Sequence, residues 1–152
     1  MKRTQKLKWL CASLLLLSLS VTSYTQSLKD FFGSSETATV YLGIDFTKAR
    51  LINSPTANPA DIKGRLYRSI NDVVVAEPKK FDLAGVFNKA GVSNDLTAVH
   101  AGNEKINAEE IVSTKFEDFN RLKESDMASI LKALNISNLK GVGILFVFEA
   151  MK

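Results

Sequence analysis

The chain has 152 residues with 20 basic and 16 acidic side chains, one histidine, one cysteine and a formal net charge of +4. The basic excess lies at the N-terminus, at Lys2, Arg3, Lys6 and Lys8, and no acidic residue precedes Asp30. Residues 24–152 carry 16 basic and 16 acidic side chains and are electrically balanced. Because nucleic-acid-binding domains need a basic surface, this balance excludes nucleic acid as an expected partner.

Residues 1–23 have the three parts of a secretory signal peptide. Residues 1–8, four of which are basic, precede an uncharged, largely apolar run at residues 9–21. Small residues then lead to an expected cleavage after Ser23. A membrane-spanning helix needs about 20 apolar residues, so the run is short for a retained anchor, which is the alternative. We expect an exported protein that is periplasmic, outer-membrane-associated or secreted, with no integral membrane anchor after cleavage.

The only cysteine, Cys11, lies inside the predicted signal peptide. The mature chain would then have no cysteine, which excludes disulfides, a thiol nucleophile and thiolate metal sites. We expect no cofactor and no metal.

The mature chain is predicted to form one domain at residues 38–152, after an N-terminal segment at 24–37 that is either a flexible tether or a loosely docked first turn. Residues 38–46 alternate apolar and polar side chains, which predicts a strand. Residues 58–61 (NPAD) have the pattern of a helix start. The apolar face predicted for this helix consists of Ile62, Leu66, Ile70, Val73 and Val74.

Further elements follow along the chain. Lys80 or Asp82 begins a shorter helical pattern, and Ser125 begins a helix that is expected to end near Asn135. Residues 96–100 are a possible strand. Residues 107–119 fit a helix or a strand equally well.

The strongest element is the run from Gly141 to Phe148 (GVGILFVF), which is apolar at both alternating sets of positions. Such a run predicts a buried interior strand covered on both faces, and an apolar strand at an open edge would invite aggregation. The predicted fold class is α+β, with mixed α/β as an alternative: one small sheet of about three to five strands with three or four helices.

Three segments resemble an uncharacterised family of exported proteins from Bacteroidetes bacteria: residues 40–52 (VYLGIDFTKARLI), 76–83 (AEPKKFDL) and 141–152 (GVGILFVFEAMK). The resemblance covers most of the mature chain and implies no catalytic residue. Members of the family continue past the position of Glu149 with an aromatic-rich strand and a Gly-rich tail. The resemblance therefore implies a truncated or diverged member, and it leaves open whether the strand at residues 141–148 has its usual neighbour.

Three residues are weak candidates for chemistry. His100 is the only histidine, so any histidine-based catalysis must use it. Asp45 and Glu149 each follow an apolar strand, where a pair of carboxylates could act as general acid and base or bind a hard cation. The alternative for all three is an ordinary strand-end or surface residue.

No assembled catalytic motif accompanies these residues, so the chain is more consistent with a non-enzymatic binding or envelope-associated interaction module. A protein or a cell-envelope component is a better candidate partner than a small molecule. One alternative is a small hydrolase that uses His100 with Asp45 or Glu149. Another is a fragment that pairs with a partner chain through an open sheet edge.

Overall fold

The computed structural model describes residues 27–136 and 138–152, so the predicted signal peptide and its cleavage site lie outside the described residues. The helices are α1 (Leu28–Gly33), α2 (Pro59–Asp61), α3 (Tyr67–Ala76), α4 (Leu83–Val86), α5 (Thr97–Asn103) and α6 (Glu124–Ala133). The strands are β1 (Thr39–Asp45), β2 (Arg50–Ile52), β3 (Ser93–Asn94), β4 (Val112–Ser113), β5 (Val142–Val147) and β6 (Ala150–Met151). Within these ranges no helix is both long and apolar enough to cross a membrane.

The strands form two three-stranded parallel sheets, in the orders β3-β1-β5 and β4-β2-β6. The α+β class is confirmed, whereas the expectation of a single sheet is wrong. Two extended stretches of the chain are each interrupted by a short irregular segment, one between β1 and β2 and one between β5 and β6. The strands before these segments belong to the first sheet, and the strands after them belong to the second. The breaks come at matching places, so β1 pairs with β5 and β2 pairs with β6.

The run from Gly141 to Phe148 forms β5, but the prediction that it is an interior strand is wrong. Among the described residues β5 pairs only with β1 and lies at the edge of its sheet. Each face nevertheless packs against a core cluster, although Phe146 is 43% exposed. Ile144 packs in a cluster with Phe31 and Tyr41, and Leu145 and Val147 pack on the opposite face against a cluster that contains Ile130 of α6.

Strand β1 is the centre of the first sheet, and two asparagine side chains complete its backbone hydrogen bonding. Pairing with β3 involves only Val40 and Tyr41. Beyond that point the N–H of Ile44 donates to Asn71 Oδ1 at 2.6 Å, and the N–H of Phe46 donates to Asn103 Oδ1 at 2.9 Å. Both amide nitrogens donate back to the carbonyl of Ile44, at 3.0 and 3.1 Å.

These amides take the place of a neighbouring strand. Asn71 lies on α3 and Asn103 ends α5, and both side chains are buried. Buried backbone groups without partners are strongly unfavourable, so the two asparagines allow β1 to continue past the end of β3. They also tie both helices to the same point of the sheet.

Gly43 makes this arrangement possible. Its φ is +110°, a backbone conformation that favours glycine, and it lies where the register with β5 shifts. A Cβ at this position would lie 2.8 Å from Asn71 Oδ1. The glycine of the sequence LGID therefore provides both the bend and the room for the amide.

The apolar face predicted for the α2–α3 helix changes position partway along. A π-helical segment, Ile62–Leu66, joins α2 to α3 and rotates every later side chain relative to the earlier ones. Tyr67 and Asn71 are the buried residues of α3, whereas Ile70 and Val73 are 41% and 39% exposed. The helix is confirmed, and Val74 packs inward against the cluster of Phe31, Tyr41 and Ile144, but the predicted inward positions of Ile70 and Val73 are wrong.

Two other local predictions are resolved by tertiary contacts. Residues 96–100 were a possible strand, but Thr97–Asn103 is helix α5 with buried Val99 on its inner side. Residues 107–119 are neither one helix nor one strand: 3-10 turns at Ala108–Glu110 and Phe116–Asn120 flank β4. The helix predicted to begin at Ser125 is confirmed as α6.

Helix α1 lies within the segment for which a tether and a docked first turn were the alternatives. Ser27 and Asp30 cap it reciprocally, and Phe31 is 5% exposed. The buried ammonium of Lys89 donates to the carbonyls of Phe31 and Ser34 and lies 4.0 Å from the centre of the Phe31 ring. Over the described residues, the docked turn is the alternative that the structure supports.

We predict that Asn71→Ala lowers the free energy of unfolding by about 2 to 3 kcal/mol, because it leaves the N–H of Ile44 without its acceptor in a buried site. Urea denaturation followed by circular dichroism would measure the change. Asn120→Ala, at an exposed position, is the matched control and should change stability by less than about 0.5 kcal/mol. Equal effects for the two variants would contradict the role of the amide.

Candidate functional site

Asp45 ends β1 and is 2% exposed. Its Oδ1 accepts hydrogen bonds from the backbone N–H of Thr47 at 2.8 Å and from the Thr47 hydroxyl at 2.5 Å. The residue lines a cavity of about 320 Å³ that lies between the end of β1, α5 and α6. The sequence indicated a carboxylate at the strand end but not its burial.

Glu149 lies between β5 and β6 and is half-buried. Its Oε1 accepts a hydrogen bond from the backbone N–H of Leu122 at 2.6 Å, and its carbonyl accepts one from the N–H of Arg50 at 2.9 Å. These two hydrogen bonds fix the short connection between β5 and β6 to Leu122 and Arg50. The side chain therefore has a structural partner.

The register places Asp45 and Glu149 at the same end of adjacent parallel strands. Asp45 pairs with Val147, two residues before Glu149. Their carboxylates nevertheless accept hydrogen bonds from different partners, Thr47 and Leu122. Within residues 27–136 and 138–152, no three acidic, histidine or cysteine residues are grouped so that they could hold a metal ion.

His100 lies on α5 and faces a different cleft. Its side chain is 12% exposed, and its Nε2 lies 3.6 Å from Asp72 Oδ1 on α3. Nε2 is enclosed and has no hydrogen-bond partner in the part of the chain that is described. The carboxylate nearest to His100 is thus Asp72, which the sequence had not indicated.

The cleft that contains His100 has a volume of about 520 Å³ and mixed charge. Arg68 lies 3.8 Å from Asp72 and 3.4 Å from Glu104, both measured between nitrogen and oxygen. Asp95, also in the lining, accepts hydrogen bonds from the hydroxyl and the backbone N–H of Thr97, which hold its pKa below the usual value. Arg68 is thus shared by two carboxylates of the cleft, and the third, Asp95, is held by Thr97.

The hydrolase hypothesis needs His100 to share a site with Asp45 or Glu149. Instead His100 lines the cleft beside Asp72, and Asp45 lines the cavity beside α6. Each of the two carboxylates has its own hydrogen-bond donor. The geometry of the described residues therefore does not bring His100 together with Asp45 or Glu149.

A free strand edge is the feature that the structure adds to these candidates. The N–H of Val142 donates to Ala38 and the N–H of Phe148 donates to Asp45, each at 2.9 Å. Because the backbone groups of a parallel strand alternate sides, those of Gly143, Leu145 and Val147 point away from β1. No described residue pairs with that side of β5.

The free edge carries no charge and is partly apolar. None of the six residues of β5 is charged, and Phe146 is 43% exposed. The Phe146 ring lies 6.1 Å from that of Tyr41, centre to centre. Natural edge strands are usually shortened or protected by charged side chains, and β5 has neither protection.

Tyr41 lies on β1, the strand that pairs with β5. Its hydroxyl is enclosed and has no hydrogen-bond partner among the described residues. The residue is 1% exposed, and burial raises the pKa of Tyr41 from 10.0 to about 12. Burial also raises the pKa of Tyr67, against the opposing effect of the Arg50 charge. Both phenols therefore favour their neutral forms in the folded protein.

Sequence reasoning missed Asp72 and the two asparagines that hold β1. One signal was present for Asn71. It lies four residues after Tyr67 and three before Val74, so a polar side chain interrupts an apolar helix face. No comparable signal distinguishes Asn103 from an ordinary residue near a helix end.

Comparisons with known proteins add no relative. No protein-family model matches the chain, and no curated protein or solved structure is detectably similar to it. The likeness to exported Bacteroidetes proteins therefore stays a prediction.

We predict that the stability of the protein falls as pH rises from 10 towards 12, and that Tyr41→Phe removes part of this loss. The unfolded phenol ionises near pH 10, whereas the folded one stays neutral until about pH 12, so ionisation favours the unfolded state in this window. By pH 11 the difference for one tyrosine is about 1 kcal/mol. Denaturation of both proteins at pH 8 and pH 11 would measure it.

Tyr67 is present in both proteins, so its contribution cancels in this comparison. At pH 8 the variant should be at least as stable as the parent, because the hydroxyl that it removes has no partner. A large loss of stability at pH 8, or the same pH dependence for both proteins, would contradict the assignment.

Proposed function

We propose that the protein is an exported, non-enzymatic interaction module that binds an extended segment of another polypeptide along the free edge of β5. The observation that carries the proposal is the position of this strand. It is an apolar six-residue strand at the edge of a parallel sheet, with one side unpaired within residues 27–136 and 138–152. An added strand would supply the missing hydrogen bonds, which is the usual basis of strand addition.

The geometry also indicates the chemistry of the partner. Gly143, Leu145 and Val147 present their N–H and C=O groups outward over about 13 Å of strand. Side chains of an added strand would alternate between the face of Phe146 and the face of Leu145 and α6. Both faces are apolar, so the partner segment is extended and uncharged, with apolar side chains at consecutive positions.

The N-terminal sequence supports export as part of the proposal. Basic residues 1–8 and the uncharged run 9–21 have the pattern of a signal peptide. An exported chain meets proteins of the cell envelope, so a polypeptide of that compartment is the partner class that we propose.

We predict that the purified protein binds a synthetic peptide that copies residues 141–148, made soluble by two lysines at each end, with a Kd of about 10 μM. Phe146→Lys should weaken binding about tenfold or more, because it places a charge on the edge strand. Leu145→Pro removes an outward N–H but none that faces β1, and it should weaken binding similarly. Fluorescence anisotropy of the labelled peptide would measure the three affinities.

Phe116→Lys is the matched control, because Phe116 is 61% exposed but lies in a 3-10 turn outside β5. It should leave the affinity unchanged within a factor of about two. A peptide N-methylated at all its apolar residues should not bind, since it lacks the donors. An equal loss of affinity in Phe146→Lys and Phe116→Lys, or binding of the N-methylated peptide, would contradict strand addition. Hydrolase turnover that His100→Ala abolishes would contradict the non-enzymatic assignment.

A further inference from the structure

The cavity at the end of β1 lies where parallel sheets commonly bind ligands. The chain leaves β1, the central strand, to form β3 on one side and later β5 on the other. Open sheets of parallel strands bind ligands outside the carboxyl ends of the strands, where the connections diverge in this way. Asp45 lies at that end and lines a cavity of about 320 Å³.

One oxygen of the Asp45 carboxylate has no hydrogen-bond partner in the part of the chain that the structure describes. Oδ1 accepts both hydrogen bonds from Thr47, and Oδ2 accepts none from the described residues. Asp45 lines the cavity although only 2% of the residue is exposed, which makes Oδ2 its candidate acceptor for a ligand. No described cationic nitrogen lies within 4.0 Å of this carboxylate. A buried carboxylate without a cationic partner is unfavourable, so a ligand that supplies a cation would stabilise the site.

The two hydroxyls in the lining are available as acceptors. The Thr47 hydroxyl donates its proton to Asp45 Oδ1, and the Ser129 hydroxyl donates its proton to the carbonyl of Ser125 at 2.9 Å. Each oxygen keeps a lone pair but has no proton left to donate. The polar groups of Asp45, Thr47 and Ser129 therefore match a ligand group that only donates.

We propose that this cavity binds a small molecule with a protonated primary amine on an apolar body. An ammonium group has three donors and no acceptor, and it pairs with a carboxylate through charge-assisted hydrogen bonds. Ile130, Ala133 and Leu134 supply an apolar wall for the body of the ligand. Lys48 also lines the cavity, and replacing it with Met removes a like charge, so Lys48→Met should bind amines as tightly as the parent or more tightly.

The test is a titration of the purified protein with isopentylamine, followed by ¹H–¹⁵N correlation spectra. Isopentanol, which has the same shape without the charge, is the matched ligand. The amine should bind with a Kd of about 1 mM and shift the amide signals of Thr47, Gly102 and Ala133. The alcohol should bind about tenfold more weakly, since it makes no charge-assisted hydrogen bond.

Asp45→Asn keeps the acceptor for Thr47 and removes the charge, so it should weaken amine binding about tenfold or more. Asp72→Asn, in the cleft of His100, is the control and should have no effect. Ala133→Leu narrows the cavity from the opposite wall and should abolish binding of both ligands, which keeps the proposal testable if Asp45→Asn does not fold. Equal binding of amine and alcohol, full affinity in Asp45→Asn or Ala133→Leu, or no shifts at the lining residues would overturn the proposal.

Discussion

The hydrogen bonds between β1 and two asparagine amides are the interaction on which the rest of this structure depends. Strand β1 needs partners on both sides, but β3 covers only its first half. Asn71 and Asn103 supply the remaining donors and acceptors at Ile44 and Phe46. Because these side chains belong to α3 and α5, the same hydrogen bonds that complete the strand also position two helices against it.

The hydrogen bonds of these two asparagines position the cleft of His100 and the cavity of Asp45. With α3 and α5 held at the end of β1, the cleft between the two helices contains Asp72 and His100, and the far side of α5 forms one wall of the cavity at Asp45. The opposite side of β1 is left to β5, which gains one strand neighbour and keeps the other side unpaired among the described residues. The proposed peptide edge and the proposed amine site lie on the same sheet and share α6, whose Ile130 belongs to the cluster beneath Leu145 and Val147 and also lines the cavity.

Much of the local structure could be predicted because it depends on short-range patterns. The Asn58-Pro59 helix start, the alternating strand at residues 38–46 and helix α6 all appear where the sequence indicated them. The errors arise where a pattern has two physical meanings. In β5 the apolar residues of both alternating sets indicate that each face packs against a core cluster. They carry no information about which strands are hydrogen-bonded to β5 along its two edges. In α3 the π-helical segment before Tyr67 rotates the inward face by about one residue, which a regular 3.6-residue repeat cannot anticipate.

The sequence by itself determined the mixed helix and strand content, the balanced charge of residues 24–152 and the presence of an acidic residue at the end of β1, because these depend only on composition and local spacing. Only the tertiary structure decided that His100 faces Asp72, that Asp45 lines a cavity, and that β5 is an edge strand among the described residues. Each of these depends on contacts between residues far apart in the chain, such as the 27 positions that separate Ile44 from Asn71. Local sequence spacing does not predict such contacts, because they are set by the packing of the helices on β1.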